Sequence, residues 1–257
     1  LISRGKFMKI FLTDISNMDD NIMNKGLELV TDYRRNKVER CKFREDKERS
    51  LAAGLLLNYA TKMYAEYMKM QMKYEHVIDD VKDGIECNVE NNSKNNNGCD
   101  GKYNKENNIE YKTDGNIIVN VRLDELVENY DASYDYDIEY VANGKPVYRN
   151  SDIYFNLSHA GNYVVCAVSD KAVGVDIERQ RKNVIRVAKR FFTQAECDWI
   201  GNDSLKFSRI WTLKEAYAKL TGEGIAGTVS KAEFRHEADN GINDAVVADN
   251  ATVSYTH

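Results

Sequence analysis

Two short segments of the sequence contain residues whose types and spacing suit chemistry on a charged substrate. The first reads Gly174-Val175-Asp176-Ile177-Glu178, in which acidic and apolar side chains alternate. Residues two apart on an extended strand point to the same face. We therefore expect the two carboxylates to lie side by side, while the apolar side chains point into a core.

The second segment runs from Trp211 to Lys219 and reads Trp-Thr-Leu-Lys-Glu-Ala-Tyr-Ala-Lys. Glu215 and Lys219 are four residues apart and would be neighbours on one face of a helix. If this helix meets the strand, three carboxylates and an ammonium come together, and such hard oxygen ligands suit Mg²⁺ bound to phosphates. The competing interpretation is a solvated acidic strand end and an ordinary surface ion pair.

Composition limits the class of protein. The chain has 257 residues, of which 42% are hydrophobic, enough for one large domain or two of ordinary size. Its five cysteines show no CxxC or Cys/His spacing, which argues against disulfides and zinc. The net charge of −5 argues against nucleic-acid binding. We find no long apolar run or signal-like start, and expect a cytoplasmic protein that does not contact membranes.

The elements that must position the two segments are uneven along the chain. Near the N-terminus we predict a strand over 8–12 and helices over 20–36 and 45–72, and then a strand over 117–121. The stretch 87–116 is rich in Asn and charged residues, which predicts a flexible insertion. A basic cluster lies between Arg34 and Arg49, either an anion-binding surface or a solvated helix face.

Order returns at Gly144-Lys145-Pro146, which we interpret as a rigid turn. Thr193 and Glu196 have the spacing of a capping box, and Gly222 stands where a helix C-cap is expected. Strand-rich and helix-rich blocks are segregated, which favours an α+β fold. We predict strands over 153–159, 163–168 and 173–177, and two weak strands within 231–255. We predict helices over 184–192 and 204–221, and another helix that begins after Thr193.

Five motifs together resemble a known family. In order and approximate spacing they are similar to the 4′-phosphopantetheinyl transferases, above all to the larger, surfactin-synthetase-activating type. The resemblance is dense from about 144 to 225 and extends more weakly over 8–70. The motifs are Gly144-Lys145-Pro146, Phe155-Asn156-Leu157-Ser158-His159, Gly174-Val175-Asp176-Ile177-Glu178, Arg190-Phe191-Phe192 and the segment Trp211 to Lys219.

The resemblance implies a pseudo-dimer of two similar α+β lobes with coenzyme A bound in the cleft between them. The N-terminal lobe would span 8–140, including the insertion at about 87–116, and the C-terminal lobe 141–257. A helix-forming block near Phe43 to Tyr59 has a weak counterpart near Phe207 to Leu220, which agrees with two similar lobes. The resemblance also implies a monomer.

The implied reaction moves the phosphopantetheine arm of coenzyme A to a serine of an apo acyl- or peptidyl-carrier protein, in fatty-acid, polyketide or nonribosomal-peptide synthesis. Adenosine 3′,5′-bisphosphate is released. By resemblance, Asp176, Glu178 and Glu215 hold Mg²⁺ on the pyrophosphate. Glu215 is the candidate base, directly or through water, and Lys219 would stabilise or protonate the leaving phosphate. Which carboxylate acts as base stays open.

The resemblance also implies contacts with coenzyme A. Ser158 and His159 would face its phosphates, although a lone histidine is more often a structural hydrogen-bonding residue. Trp211 is assigned to packing rather than to chemistry. The remaining predicted contacts are Lys145 and Pro146 in the turn, and Lys37, Arg40 and Arg49 in the basic cluster.

Two other classes of function remain open from the residues. A Mg²⁺-dependent phosphohydrolase acting on coenzyme A would use the same three carboxylates, but it would release pantetheine phosphate without a carrier. A non-catalytic module that binds coenzyme A or a carrier would keep the basic residues and would not need the carboxylates. Because carrier proteins are acidic, we expect docking to use a local apolar and basic patch despite the negative net charge.

Overall fold

The computed structural model describes residues 8–83, 118–141, 144–180, 184–224, 242–247 and 251–256, with side chains except in 72–83 and the last two ranges. The chain divides into two compact units, Leu1–Tyr64 with Asn116–His257, and Ala65–Gly115. All the candidate site residues lie in the first unit. The predicted insertion at 87–116 lies outside the described residues.

The described elements follow in chain order, with one short 3-10 helix at Ala132–Tyr134. The strands are β1 (Met8–Asp14), β2 (Ile118–Asn120), β3 (Ile138–Tyr140), β4 (Pro146–Tyr148), β5 (Tyr154–Ala160), β6 (Tyr163–Ser169), β7 (Gly174–Arg179), β8 (Ile242–Val247) and β9 (Ala251–Thr256). The helices are α1 (Asp20–Leu29), α2 (Asp32–Glu39), α3 (Arg44–Asp83), α4 (Leu123–Glu128), α5 (Ile185–Phe191), α6 (Gln194–Ile200) and α7 (Ser204–Thr221).

The helix predicted over 20–36 is wrong in one respect, because the structure forms two helices there. The side chain of Asp19 accepts a hydrogen bond from the backbone of Ile22 and so caps α1. Val30 is extended, and Thr31 then caps α2 by accepting from the backbone of Arg34 at 3.3 Å. A threonine hydroxyl that satisfies a free N–H group favours a new helix start over a continuous helix.

A four-stranded sheet is central to the first unit. Its strand order is β2-β1-β6-β5, with β2 parallel to β1 and the other neighbours antiparallel. On one face, apolar side chains of β1 and β6 pack against Val175 and Ile177 of β7, which are buried as predicted. On the other face, Phe11 meets Tyr59 of α3 edge to face. The sheet is therefore covered on both sides.

The C-terminal part of the described chain adds a three-stranded antiparallel sheet. Its order is β7-β9-β8, so the two weak strands predicted between 231 and 255 are confirmed. Pairing with β7 places β9 along the full length of the strand that carries Asp176 and Glu178. This strand is thereby fixed from its edge as well as from the face that packs against the four-stranded sheet.

Helices α5, α6 and α7 form a separate apolar cluster around Phe207 and Ile210. The predicted capping box is present, because Thr193 and Glu196 bond to each other's backbone at the start of α6. Glu196 also forms an ion pair of 2.9 Å with Lys214 of α7, and the two side chains are 1% and 0% exposed. The predicted C-cap is confirmed by Gly222, whose φ of 72° is left-handed.

The α+β class predicted from the sequence is confirmed by these segregated sheets and helices. The division into lobes at residue 140 stays a prediction. Strand β1 from the predicted N-terminal lobe pairs over its full length with β6 from the predicted C-terminal lobe. Within the described residues, no helix is both long enough and apolar enough to cross a membrane.

Candidate active site

Helix α7 lies directly against β7, and Gly174 makes that approach possible. A Cβ atom added to Gly174 would lie 2.0 Å from the carbonyl oxygen of Ala216 and 2.8 Å from the amide nitrogen of Leu220. A glycine is therefore required where the strand backbone touches the helix backbone. This contact sets the distance between Asp176, two residues along the strand, and Lys219 in the last turn of the helix.

Ser158, Asp176 and Lys219 form a hydrogen-bonded group, which we call the polar triangle. The Ser158 hydroxyl donates to Asp176 Oδ1 at 2.8 Å, and the Lys219 ammonium donates to the same oxygen at 2.7 Å. Lys219 also donates to Ser158 Oγ at 2.8 Å and to the carbonyl of Val175 at 3.2 Å. Three elements, β5, β7 and α7, thus contribute one side chain each to a single polar contact.

The second oxygen of Asp176 is in a different environment. Asp176 Oδ2 is buried and has no hydrogen-bond partner among the described residues. A buried acceptor without a partner is costly, and a hard cation would satisfy it. This oxygen therefore fits the predicted role of Asp176 as a Mg²⁺ ligand.

The other two predicted metal ligands lie on the same two elements as Asp176 and Lys219. Glu178 is half-buried on β7, and its Oε1 accepts a hydrogen bond of 3.2 Å from the Trp211 indole. Glu215 is half-buried on α7, one turn before Lys219. Among the described side chains, no three His, Cys, Asp or Glu residues form a ready-made metal site. Metal binding by the three carboxylates stays a prediction.

Basic residues surround the hairpin between β5 and β6. Arg49 of α3 donates to the carbonyl of Gly161 at 3.1 Å and pairs with Asp46 at 2.7 Å. His159 is exposed next to this turn, and partial desolvation together with the positive charges of Arg49 and Lys219 lowers its pKa. The structure thus brings His159, Arg49 and Lys219 into one electrostatic neighbourhood, and this local positive charge suits an anion.

Lys37 and Arg40 lie at the C-terminal end of α2, and both are exposed. Arg34, one turn earlier, belongs to the predicted basic cluster but was not among the predicted coenzyme A contacts, and it is buried with its stem packed on Gly54. Its burial lowers the pKa of the guanidinium. Arg34 lines a small pocket that is partly open to solvent, together with Tyr33, Tyr130, Tyr134, Tyr136 and Tyr148.

The Gly144-Lys145-Pro146 turn leads into β4. Pro146 is half-buried in the first position of that strand, opposite Tyr140. Lys145 donates to the backbone carbonyl of Leu220, at the end of α7, at 2.9 Å. The turn therefore contacts the helix that carries Glu215 and Lys219.

Two contacts at the site were not predicted. The side-chain oxygen of Asn156, a buried residue, accepts from the backbone of Val175 at 2.9 Å and so links β5 to β7, which are not paired strands. Trp211 stacks on Phe207, as its predicted packing role requires, but it also donates to Glu178. Asn156 lies within the Phe-Asn-Leu-Ser-His motif, and a polar residue between two large apolar residues was the available signal.

Comparison with known proteins finds a similarity to one family over part of this chain. Residues 172–256 match the family model of the 4′-phosphopantetheinyl transferase superfamily. The matched region begins just before β7 and includes α5, α6, α7 and the last two strands. It therefore contains Asp176 and Lys219 of the polar triangle, and both Glu178 and Glu215.

Three relatives show how far the similarity extends. The chain is 40% identical over 87 residues to the 4′-phosphopantetheinyl transferase gsp of Aneurinibacillus migulanus, covering 32% of this chain and 36% of that protein. It is 41% identical over 103 residues to the 4′-phosphopantetheinyl transferase psf-1 of Bacillus pumilus, and the alignment covers 38% of this chain and 44% of that protein. It is 31% identical over 106 residues to the 4′-phosphopantetheinyl transferase Sfp of Bacillus subtilis (strain 168), and the alignment covers 39% of this chain and 47% of that protein.

The resemblance predicted from the five motifs is confirmed by these matches. The aligned part of the chain spans less than half the length of each of these relatives.

Proposed function

We propose that this protein is a 4′-phosphopantetheinyl transferase that modifies apo carrier proteins. The observation that carries the proposal is the polar triangle of Ser158, Asp176 and Lys219, of which Asp176 and Lys219 lie within the matched residues 172–256. A buried carboxylate with one oxygen bound to an ammonium and the other without a partner among the described residues suits a site for phosphate chemistry.

The proposed reaction is a displacement at phosphorus. The hydroxyl oxygen of a carrier serine attacks the phosphorus that bears the pantetheine arm, and a new P–O bond forms. The bond from that phosphorus to the bridging oxygen of the pyrophosphate breaks, and adenosine 3′,5′-bisphosphate leaves with that oxygen. The serine proton passes to a base, for which Glu215 is the candidate. The Lys219 ammonium stabilises the negative charge of the leaving phosphate.

Magnesium would be held by Asp176, Glu178 and Glu215, with Asp176 Oδ2 as the best-supported ligand atom. When bound, such a cation neutralises pyrophosphate charge and so lowers the repulsion met by the incoming oxygen. Lys219 and Trp211 support the proposed ligands from the protein side. Each donates a hydrogen bond to one carboxylate and so restricts its orientation.

Coenzyme A would lie against the basic residues of the first half of the chain and the β5–β6 hairpin. Arg49 and His159 are grouped there, and Arg34 adds a buried guanidinium on the helix that also carries Lys37. We expect these cations to contact the phosphates, with Pro146, at the start of β4, beside the adenosine part. The two-lobe arrangement with a cleft for coenzyme A is part of this proposal.

Helix α5 provides a surface with the charge and polarity that an acidic carrier requires. It begins six residues after Arg179, the last residue of β7, and exposes Ile185 together with Arg186, Lys189 and Arg190. Its basic residues stand out against a chain with a net charge of −5. We propose that this face, referred to as the α5 patch, docks the carrier near the carboxylates of β7.

The proposal is tested by incubating the protein with coenzyme A, Mg²⁺ and an apo carrier protein, and weighing the carrier by mass spectrometry. We expect the carrier to gain one phosphopantetheine arm, and chelation with EDTA to abolish the gain. A phosphohydrolase would instead release pantetheine phosphate when the carrier is omitted. Release at the same rate with and without carrier, and no mass gain on the carrier, would contradict transfer.

A further inference from the structure

The side chain of Lys145 extends from its turn to the end of α7. Its ammonium donates to the backbone carbonyl of Leu220 at 2.9 Å. Leu220 is in the last turn of α7, where carbonyl groups have no partner within the helix. A cation there also interacts favourably with the negative end of the helix dipole. Lys145 is half-buried, and this partial desolvation lowers the pKa of its ammonium.

The same turn of α7 is contacted from the start of β7. Gly174 lies against the backbone of Ala216 and Leu220 so closely that a Cβ atom would overlap both. Gly174 therefore limits how near the helix can come, while Lys145 holds its last turn by a charged hydrogen bond. Leu220 takes part in both contacts, through its amide nitrogen in one and its carbonyl in the other.

Lys219 lies in the sequence between Ala216 and Leu220, the two residues of α7 that Gly174 and Lys145 contact. Its ammonium reaches Asp176 at 2.7 Å and Ser158 at 2.8 Å from a backbone position adjacent to Leu220. These distances leave little tolerance, because a shift of the last turn by about 1 Å would lengthen both bonds beyond hydrogen-bond range. A displacement of that size at a reacting group costs roughly a hundredfold in rate in the worst cases.

We propose that Lys145 is a positioning residue that anchors the last turn of α7 and thereby places Lys219 on the polar triangle. This inference rests on the proposed transferase function and differs from the sequence-based expectation that Lys145 contacts coenzyme A. A residue that positions Lys219 affects the rate of the bound complex. A residue that contacts coenzyme A affects the Michaelis constant for coenzyme A instead.

The test compares Lys145→Met, which removes the ammonium and keeps the stem, with Lys145→Arg, which keeps a donor. Lys171→Met, on an exposed lysine between β6 and β7, is the matched control. Amide hydrogen exchange is measured on the protein alone, at the Gly222 N–H group that donates to Ala218 in α7. The values of kcat and KM for coenzyme A are then measured with an apo carrier.

For Lys145→Met we expect about tenfold faster exchange at Gly222, as for the loss of one charged hydrogen bond. We also expect kcat to fall about tenfold while KM for coenzyme A stays within about twofold of wild type. Lys145→Arg should restore most of the wild-type exchange rate at Gly222 and most of the wild-type kcat, and Lys171→Met should match wild type. A higher KM for coenzyme A, with unchanged exchange at Gly222 and unchanged kcat, would overturn the proposal. No change in any of these three quantities would also overturn it.

The exchange measurement separates this inference from the proposed function. It needs neither coenzyme A nor carrier, so it reports on the anchor even if the wild-type protein transfers nothing. In that event the transferase proposal fails. Faster exchange in Lys145→Met would still support the anchor, and unchanged exchange would overturn it.

Discussion

Asp176 has two carboxylate oxygens in unlike surroundings, and this difference would let one residue both hold the polar triangle together and bind the proposed Mg²⁺. Oδ1 is bound by Ser158 and Lys219, which fix the plane of the carboxylate. Oδ2 is buried without a partner among the described residues. Fixing one oxygen orients the other, which is how supporting hydrogen bonds preorganise a metal ligand.

His159 gives a prediction on pH and stability. Its pKa is lowered from the ordinary value of 6.5 by desolvation and by Arg49 and Lys219. The unfolded chain therefore binds the proton more readily than the folded protein, and stability falls as the pH drops below about 6.5. His159→Gln removes this titrating group, so this part of the stability loss disappears. The urea midpoint of the variant should therefore change less between pH 7 and pH 5 than the midpoint of wild type does. An equal or larger difference would contradict the prediction.

At the scale of elements, the close contact between β7 and α7 depends on Gly174. Alanine there would place Cβ 2.0 Å from the Ala216 carbonyl, so strand and helix must separate. We expect Gly174→Ala to lower the free energy of unfolding by about 3 kcal/mol or more, measured by urea denaturation.

Gly144→Ala is the control for this substitution. Gly144, unlike Gly174, has a positive φ of 75°, and a Cβ atom added there would meet none of the described atoms within 4 Å. Its replacement should cost only the left-handed backbone strain, about 1 kcal/mol. Equal losses in the two variants would show that close packing at Gly174 is not the cause.

The buried ion pair between α6 and α7 gives a second prediction at this scale. Lys214→Met would leave the Glu196 carboxylate buried without its cation, which typically costs about 3–5 kcal/mol. The double variant Lys214→Met with Glu196→Gln removes both charges and should be more stable than Lys214→Met alone. Thermal unfolding of wild type, both single variants and the double variant measures this coupling. A stability loss in the double variant equal to the sum of the losses in the two single variants would contradict this coupling.

Local signals predicted most of these elements from the sequence. The Thr193–Glu196 capping box and the Gly222 cap depend on residues within one turn, and both were predictable. The break at Thr31 was missed because the apolar period continues across it, and a single capping hydroxyl decides the outcome. The α+β class followed from the order of these elements.

The contacts within the site were harder to predict. The sequence indicated that Asp176 and Lys219 belong near each other, but their direct contact depends on the close approach at Gly174. The hydrogen bonds of Asn156 and Lys145 join residues 19 and 75 positions apart. No spacing rule reaches that far, because such contacts depend on how whole elements pack.

At the scale of the whole molecule, charge is distributed unevenly. The chain is acidic overall, with a net charge of −5, whereas the α5 patch exposes three cations around Ile185. An acidic partner would be attracted to this patch despite the negative net charge of the chain, which favours one docking orientation.

Reversing a charge in the α5 patch tests this distribution. We expect Lys189→Glu to raise KM for an apo carrier about tenfold and to leave KM for coenzyme A unchanged, because Lys189 is exposed on α5. Added salt should reduce wild-type transfer more than transfer by the variant. Lys171→Glu makes the same charge change on another exposed lysine and should have little effect. Equal effects of the two substitutions would contradict docking at α5.

The central claim is that the site containing the polar triangle transfers phosphopantetheine to a carrier serine. The most direct measurement is the mass of an apo carrier followed over time with coenzyme A and Mg²⁺, using wild type, Asp176→Asn and the exposed control Asp152→Asn. We predict that wild type and Asp152→Asn add one arm at similar rates, and that Asp176→Asn is at least about a hundredfold slower. No added mass with wild type on several carriers, or equal rates for all three proteins, would contradict the claim.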